Sequence, residues 1–260
     1  MNRLDPILES TRAELARRHE ATPQTELERA AERRRASGDL RSFADALARP
    51  GLSLIAEHKR RSPSAGRIRD DLELEDVVGA YERGGAAALS ILTEGPNFGG
   101  SLDDLRAARL ASRLPLLRKE FVLDIYQVYE AFAAGADAIL LIVAALDGRE
   151  LSALHDEAIG LGLSVLVEVH DEPELEVALE LPAPIIGINN RDLKTLQVDT
   201  QRTFDLLPRI AGQGLVVAES GFSRRDQLDA LEAAGVNGVL IGEALMRSPD
   251  VEAATLRLSS

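Results

Sequence analysis

The sequence contains no cysteine and no tryptophan, and it has very little lysine. Without cysteine the chain cannot form disulfides, use a thiolate nucleophile or bind a metal through sulfur, which is compatible with a reducing compartment. A formal net charge of −13 argues against binding nucleic acid or an anionic membrane, because both need a basic face. No apolar run reaches the roughly 18 residues of a membrane span, and the N-terminus lacks a signal-peptide core. We therefore expect a cytoplasmic protein.

The few lysines stand out, because only three of the 30 basic residues are lysine. They are Lys59, Lys119 and Lys194. An ammonium group can lose its proton when its environment is tuned, whereas a guanidinium group keeps its charge. Lys59 and Lys119 are therefore candidates for proton donors, while Lys194, in RDLKTLQ, is interpreted as a solvated loop residue.

Short runs rich in Val, Ile, Leu and Ala recur along the chain and predict strands. Their nearly continuous apolarity is typical of strands that are covered on both faces. Amphipathic segments with helical spacing separate them, and several of these end on glycine, where a helix C-cap belongs. The eight runs are LSLIAE (52–57), AAALSIL (86–92), LPLLRK (114–119), ADAILLIV (136–143), LSVLVEV (163–169), APIIGIN (183–189), GLVVAES (214–220) and NGVLIG (237–242).

Alternation of strands and helices indicates parallel pairing with right-handed crossovers. Eight such units in 260 residues predict a closed (β/α)8 TIM barrel, a fold of about 250 residues; an open doubly wound sheet is the alternative. Residues 1–49 lie outside the repeat and are predicted to form amphipathic helices, packed as an extra layer or lid across one end of the barrel. Because no low-complexity linker follows them, residues 1–260 are predicted to form a single domain.

Chemically useful side chains follow five of the predicted strands, and chemistry in such barrels lies at the carboxyl ends of the strands. Residues two apart share a face of a strand, so Glu57 and Lys59 are expected to point one way and His58 the other. Any one charged residue at a strand end commonly just marks the return to water. The opposite ends of the strands are expected to carry no comparable set. The other members of the set are Lys119, Glu168, Asn189, Arg191 and Glu219.

The loops after the seventh and eighth strands predict a phosphate site, since barrels hold phosphate there on backbone N–H groups and a short helix N-terminus. Gly221 and Gly242 allow a ligand to approach the backbone closely, and Ser62 lies on the adjoining loop. A metal site is the alternative for Glu168 and His170, which share a face. The other histidines show no ligand spacing, so His170 is interpreted as a loop residue.

Eight motifs occur in order along nearly the whole chain: IAEHKRRSPSAG, LSILTEGPNFGGS, LPLLRKEF, LLIVAAL, VLVEVHDEPEL, IGINNRDLKTL, VAESGF and VLIGEALM. Together they resemble the indole-3-glycerol phosphate synthase family of tryptophan biosynthesis. The resemblance implies a lyase without cofactor or metal that converts 1-(2-carboxyphenylamino)-1-deoxyribulose 5-phosphate to indole-3-glycerol phosphate, with loss of CO2 and water. Ring closure and dehydration each need a proton donor, and the ring nitrogen needs a base.

The resemblance also implies roles for individual residues. Lys119 and Lys59 would be the acid and electrostatic groups, with the division of steps between them open, and Glu168 would be the base. Glu57 would orient the lysines, and Glu219 would join the same polar network. Glu243 stands where relatives often carry serine, so only its backbone N–H is expected to face phosphate. The remaining implied contacts are Asn189 and Arg191 for the anthranilate group, Phe98 and Leu140 for its ring, Ser220 near the substrate, and Ser62, Gly221 and Gly242 for the phosphate.

Other functions remain open from the residues. One is another phosphosugar-processing barrel, such as phosphoribosylanthranilate isomerase, which would not need two lysines. Others are a Schiff-base aldolase and a catalytically silent phosphosugar-binding protein. The expected partner is a small-molecule substrate, with no nucleic acid and no membrane, and the expected state is a monomer or weak homo-oligomer.

Overall fold

The computed structural model describes residues 4–182, 185–210 and 212–259. Within them, eight parallel strands close into a barrel in which each strand pairs with the next along the chain and the last pairs with the first. The strands are β1 (Ser53–His58), β2 (Ala88–Leu92), β3 (Leu116–Lys119), β4 (Ala138–Ile142), β5 (Ser164–Val169), β6 (Ile185–Asn189), β7 (Leu215–Glu219) and β8 (Gly238–Ile241). The predicted barrel is confirmed and the open sheet is excluded. Each predicted run overlaps one strand, the first strand extending one residue beyond its run to His58, and residues 183 and 184 of the sixth run lie outside the described residues.

Helices connect the strands, and most of the connecting helices pack against the outside of the barrel. Several begin at an aspartate or serine whose side chain accepts a backbone N–H, as Asp147 does, and several end at glycine in the left-handed conformation, as Gly162 does. None of the helices in the described part of the chain is long and apolar enough to cross a bilayer. The helices are α1 (Leu4–Ala21), α2 (Gln24–Ser37), α3 (Phe43–Leu47), α4 (Leu74–Arg83), α5 (Leu102–Ala111), α6 (Ile125–Ala134), α7 (Gly148–Leu161), α8 (Glu172–Leu179), α9 (Gln201–Ile210), α10 (Arg225–Ala234), α11 (Glu243–Met246) and α12 (Val251–Ser259).

The N-terminal helices contact both ends of the barrel, so the prediction that they cover one end was wrong. Phe43 and Leu47 of α3 pack into the apolar cluster inside the barrel, and Leu47 lies against Gly238 at the first residue of β8. Leu4 and Ile7 of α1 instead line the pocket at the carboxyl ends of the strands. An apolar stripe predicts that a helix buries one face, but it does not identify the surface that covers that face.

A buried ion cluster lies at the amino ends of the strands, where no charged set was expected. The Asp137 side chain, which precedes β4, is fully buried. It accepts hydrogen bonds from Arg34 at 3.0 Å and Arg109 at 2.7 Å, and from the backbone N–H groups of Arg41 and Leu116. This carboxylate therefore joins the N-terminal extension to the barrel. The expectation failed because these partners are far apart in the sequence.

Candidate active site

A pocket of about 430 Å³ opens at the carboxyl ends of the strands. All fourteen residues that sequence reasoning selected line this one pocket, although they come from all eight strands or the loops that follow them. Alternation along the strands brings the selected residues together, because the inward-facing residues of neighbouring strands stack in layers. The fourteen selected residues are Glu57, Lys59, Ser62, Phe98, Lys119, Leu140, Glu168, Asn189, Arg191, Glu219, Ser220, Gly221, Gly242 and Glu243.

Lys119, the last residue of β3, lies at the centre of the polar network. Its Nζ is 2.5 Å from Oε2 of Glu219 and 3.1 Å from Oε2 of Glu168. Burial alone lowers the pKa of the ammonium group, but the carboxylates of Glu219, Glu168 and Glu57 outweigh burial, so the pKa is raised above its usual value. Lys119 therefore carries its proton at neutral pH, where the neighbouring carboxylates stabilise the ammonium group.

Glu168, near the end of β5, is surrounded by donors. Its Oε1 accepts a hydrogen bond from Nδ2 of Asn189 at 3.0 Å and lies 3.3 Å from Nε2 of His170. Burial raises the pKa of this carboxyl, but Lys119 and His170 lower it by more, and the net pKa is below the usual value. Glu168 is therefore ionised and available as a base.

His170 lies in the loop directly after β5, as interpreted from the sequence, and it does not line the pocket, but it contacts Glu168, which does. Its side chain is only 11% exposed and lies between two carboxylates. On one side is Glu168, and on the other its Nδ1 is 3.0 Å from Oε2 of Glu174. Burial lowers the pKa of the imidazole, but the two carboxylates raise it by more, to about 10. The contact with Glu168 was signalled in the sequence, because His170 follows Glu168 by two positions.

A raised imidazole pKa predicts a pH-dependent contribution of His170 to stability. The folded-state pKa of about 10 lies above the ordinary 6.5, so this contribution is complete below pH 6.5 and is lost as the pH rises towards 10. We expect the difference in unfolding free energy between the unmodified protein and His170→Gln to shrink over this window, by at most about 1.4 kcal/mol per pH unit. Urea unfolding at several pH values measures it, and a difference that stays constant from pH 6 to pH 10 would contradict it.

Glu219, the last residue of β7, differs from Glu168 although both contact Lys119. Burial raises the pKa of its carboxyl and Lys119 lowers it, while the charge of Glu168 adds to the rise, leaving a pKa of about 7. Its Oε1 has no hydrogen-bond partner among the described residues. A side chain at Gly187 would collide with this oxygen, so glycine on β6 makes room for the carboxyl. Glu219 is therefore a group in the pocket that exchanges its proton near neutral pH.

Glu57 and Lys59 face the pocket side by side, as their spacing predicted. The Nζ of Lys59 is 2.6 Å from Oε1 of Glu57. A Cβ atom at Gly242 would lie 2.5 Å from the same oxygen, so this glycine also accommodates Glu57. His58 points away from the pocket and is buried, and burial together with the charge of Arg60 lowers its pKa to about 4. It is therefore a neutral residue in the wall of the barrel.

Apolar side chains form one wall of the pocket. Phe98 lies in the loop after β2, with its ring 6.4 Å from that of Phe121. Leu140 of β4 is buried beside them. Leu4 and Ile7 of α1 complete the lining, and sequence reasoning missed both because nothing local shows which end of the barrel α1 covers. The wall provides a surface against which a flat aromatic group can pack.

The opposite side of the pocket consists of loops with exposed backbone. Ser220 and Gly221 both have positive φ, 64° and 92°, and Ser220 is a rare position for a residue other than glycine. The Oγ of Ser220 donates to Oδ1 of Asn189 at 2.9 Å. The carboxylate of Glu243 accepts from Nε of Arg247, one turn further along the chain, at 2.9 Å. The Glu243 side chain therefore already has a cationic partner on the same helix.

The fold and the site define a (β/α)8-barrel enzyme with an acid–base pocket built from paired lysines and carboxylates. Residues 4–258 match the family model described as indole-3-glycerol phosphate synthase. The chain belongs to the indole-3-glycerol phosphate synthase family.

Several curated proteins of this name are similar over their full length. The indole-3-glycerol phosphate synthase of Nocardioides sp. (strain ATCC BAA-499 / JS614) is 45% identical over 262 residues, covering 100% of this chain and 98% of the relative. That of Laribacter hongkongensis (strain HLHK9) is 46% identical over 260 residues, with 98% of each covered.

Solved structures with low sequence identity share the fold. One is 3-hexulose-6-phosphate synthase from Salmonella typhimurium, with a TM-score of 0.61 and 14% identity over 80% of this chain and 97% of that chain. Another is the tryptophan synthase α-subunit from Pyrococcus furiosus, in a mutant form, with a TM-score of 0.60 and 18% identity over 79% and 97%. At this identity the likeness supports the barrel and not a shared activity.

Proposed function

We propose that this protein is an indole-3-glycerol phosphate synthase, which converts 1-(2-carboxyphenylamino)-1-deoxyribulose 5-phosphate to indole-3-glycerol phosphate, CO2 and water. The family membership reported above supports this reaction. The observation that carries it at the level of the site is the position of Lys119 between two carboxylates that differ in pKa. Such a pair supplies a proton donor and a proton acceptor in one pocket.

Lys119 and Lys59 are proposed to serve the two steps that need an acid. The ring carbon that bears the carboxylate attacks the ketone carbon, and an ammonium group donates a proton to the oxygen as that oxygen gains charge. CO2 then leaves, its bonding electrons returning to the ring. In the dehydration step, the hydroxyl leaves as water after accepting a proton, and Glu168 takes the proton from the ring nitrogen. The CH2 group next to the nitrogen then loses a proton and the nitrogen regains one, which gives the double bond and the N–H group of the indole. Glu57 keeps Lys59 in place, and Glu219 balances the charge of Lys119.

The binding roles follow from the two sides of the pocket. Arg191 is proposed to contact the substrate carboxylate, since a planar guanidinium group matches a carboxylate in two parallel hydrogen bonds. Asn189, which donates to Glu168, would orient the base while contacting the anthranilate group. Phe98 and Leu140 would pack against the aromatic ring, with Ser220 near the substrate.

The phosphate is proposed to bind at the loops after β1, β7 and β8. Ser62, Gly221 and Gly242 would provide this cradle, with close backbone approach at the two glycines. Glu243 would contribute its backbone N–H alone, and its ion pair with Arg247 supports this by drawing the carboxylate away from the anion.

We also propose that residues 1–260 form a single domain and that the protein acts in the cytoplasm on a small-molecule substrate, without nucleic acid. The buried contacts of Asp137 with both the N-terminal extension and the barrel support the single domain. A monomer or weak homo-oligomer is proposed for its solution state.

Incubation with the carboxyphenylamino-deoxyribulose phosphate tests this function, because a newly formed indole has its own fluorescence. We expect indole emission to appear with the purified chain alone. Isomerisation of phosphoribosylanthranilate by the protein, without indole formation, would support the other barrel enzyme. Trapping of the substrate on the chain by borohydride would reveal a Schiff base and contradict the proposed roles of the lysines.

A further inference from the structure

A buried carboxylate in the pocket wall, Glu94, has no role in the proposed chemistry. It follows β2 and is only 3% exposed, yet it lines the pocket. Its carboxylate accepts hydrogen bonds from the backbone N–H groups of Asn97 at 2.7 Å and Phe98 at 2.8 Å. It also accepts from Nδ2 of Asn97 at 2.7 Å. All three bonds are made to the loop that carries Phe98.

The loop itself, residues 93–101, has no regular secondary structure and is closed by its own backbone. Gly99 donates to the carbonyl of Gly95, and Gly100 donates to the carbonyl of Glu94, both at 2.8 Å. Gly99 has a φ of 68°, and a side chain at Gly100 would collide with the carbonyl of Leu92. The backbone is therefore wound tightly around the Glu94 carboxylate.

The same loop is held from outside by the segment that follows Lys59. Arg61 donates to the carbonyls of Gly95 and Pro96, both at 2.9 Å, and Arg60 donates to the carbonyl of Gly99 at 3.3 Å. The loop is therefore hydrogen-bonded on two sides, to the exposed Arg61 on its outer side and to the buried Glu94 on its inner side. The ring of Phe98 is the large apolar side chain that this loop presents to the pocket.

We propose that Glu94 is a positioning residue that fixes the ring of Phe98 against the aromatic part of the substrate. This inference rests on the proposed function. Glu94 suits the role because the two oxygens of its side chain together satisfy three donors of the same loop. The aromatic ring of the substrate must lie at attack distance from the ketone, so the place of Phe98 affects the rate as well as binding.

Two substitutions of Glu94 separate its shape from its charge. Glu94→Gln keeps the length and an oxygen that can accept from both backbone N–H groups, so we expect kcat/KM within about threefold of the unmodified protein. Glu94→Asp keeps the charge but is one methylene shorter, which draws the loop inwards. We expect it to lower kcat/KM by about 10- to 100-fold, the loss that a misplacement of about 1 Å produces. The opposite ranking of the two variants would overturn the proposal, because it would indicate a direct role for the charge.

A double-mutant cycle with Phe98→Ala tests whether Glu94 acts through the ring. Residues that act as a unit give non-additive losses, so Phe98→Ala should cost kcat/KM much less in the Glu94→Asp background than alone. Equal cost in both backgrounds would overturn the proposal. If Glu94→Asp does not fold, Arg61→Ala loosens the same loop from outside and enters the same cycle, with the same two outcomes.

Asp147→Ala is the control, because Asp147 also accepts two backbone N–H groups, from Arg149 and Glu150 in the first turn of α7, but does not line the pocket. It should lower the melting temperature without changing kcat/KM. Indole formation by the unmodified protein is measured in the same series. Its absence would overturn the proposed function together with this inference, whereas indole formation with unaltered Glu94→Asp kinetics would overturn the inference alone.

Discussion

Arginine in place of Lys119 is expected to lower kcat by about 10²- to 10⁴-fold, the range that general acid–base groups contribute. The guanidinium group keeps the positive charge between Glu168 and Glu219, so the pocket remains electrostatically balanced. Its charge is delocalised over a planar group, however, so it is a poorer proton donor than the compact ammonium group and does not reproduce the position of Nζ. The loss should fall on kcat more than on KM, and a steady-state assay of indole emission measures both.

Lys194→Arg provides the control for this substitution. Lys194 is exposed in the loop after β6, as its sequence context predicted, and its replacement should leave kcat unchanged. Near-normal turnover in Lys119→Arg would contradict the acid role. Lys59→Arg, measured alongside, shows which of the two lysines contributes more to the rate-limiting step.

Replacement of Asp137 by alanine is expected to destabilise the protein by about 3–5 kcal/mol, the cost of breaking a buried ion pair from one side. The change leaves the buried guanidinium groups of Arg34 and Arg109 without this carboxylate. The N–H groups of Arg41 and Leu116 lose their acceptor as well. Urea unfolding at constant pH measures the effect, provided that the slope of the transition is unchanged.

An exposed ion pair provides the reference for this loss of unfolding free energy. Asp229→Ala removes one of the ion-pair partners of Arg225 on α10. The Asp229 side chain is 59% exposed, and exposed pairs contribute less than about 1 kcal/mol. If Asp137→Ala costs no more than Asp229→Ala, the cluster does not hold the extension to the barrel.

The barrel could be predicted because its signals are local. A strand that is covered on both faces must be apolar at nearly every position, and this shows in short runs such as LSVLVEV. Glu57 and Lys59 could be assigned to one face for a similar reason, since alternation along a strand has a period of two. Parallel strands in a closed barrel place all their carboxyl ends on the same rim, so the polar side chains that follow the strands could be expected around one pocket, while Phe98 and Leu140 were implied only by the family resemblance.

The errors concern pairs of residues that are distant along the chain. Asp137 and Arg34 are 103 positions apart, and neither looks unusual where it stands. The role of Gly242 beside Glu57 and that of Gly187 beside Glu219 depend on neighbouring strands of the barrel. In each case the contact depends on how elements pack, which local patterns do not record.

The sequence by itself determined the class of fold, the order of its strands and the residue types at the mouth of the barrel, because periodicity and burial act over a few neighbouring residues. Only the tertiary structure decided the charge states within that mouth. Lys119, Glu168 and Glu219 come from β3, β5 and β7, and the pKa of each depends on its distance to the others and on burial. Electrostatic energies depend on separation in space and on exclusion of water, and both are fixed only when the barrel closes.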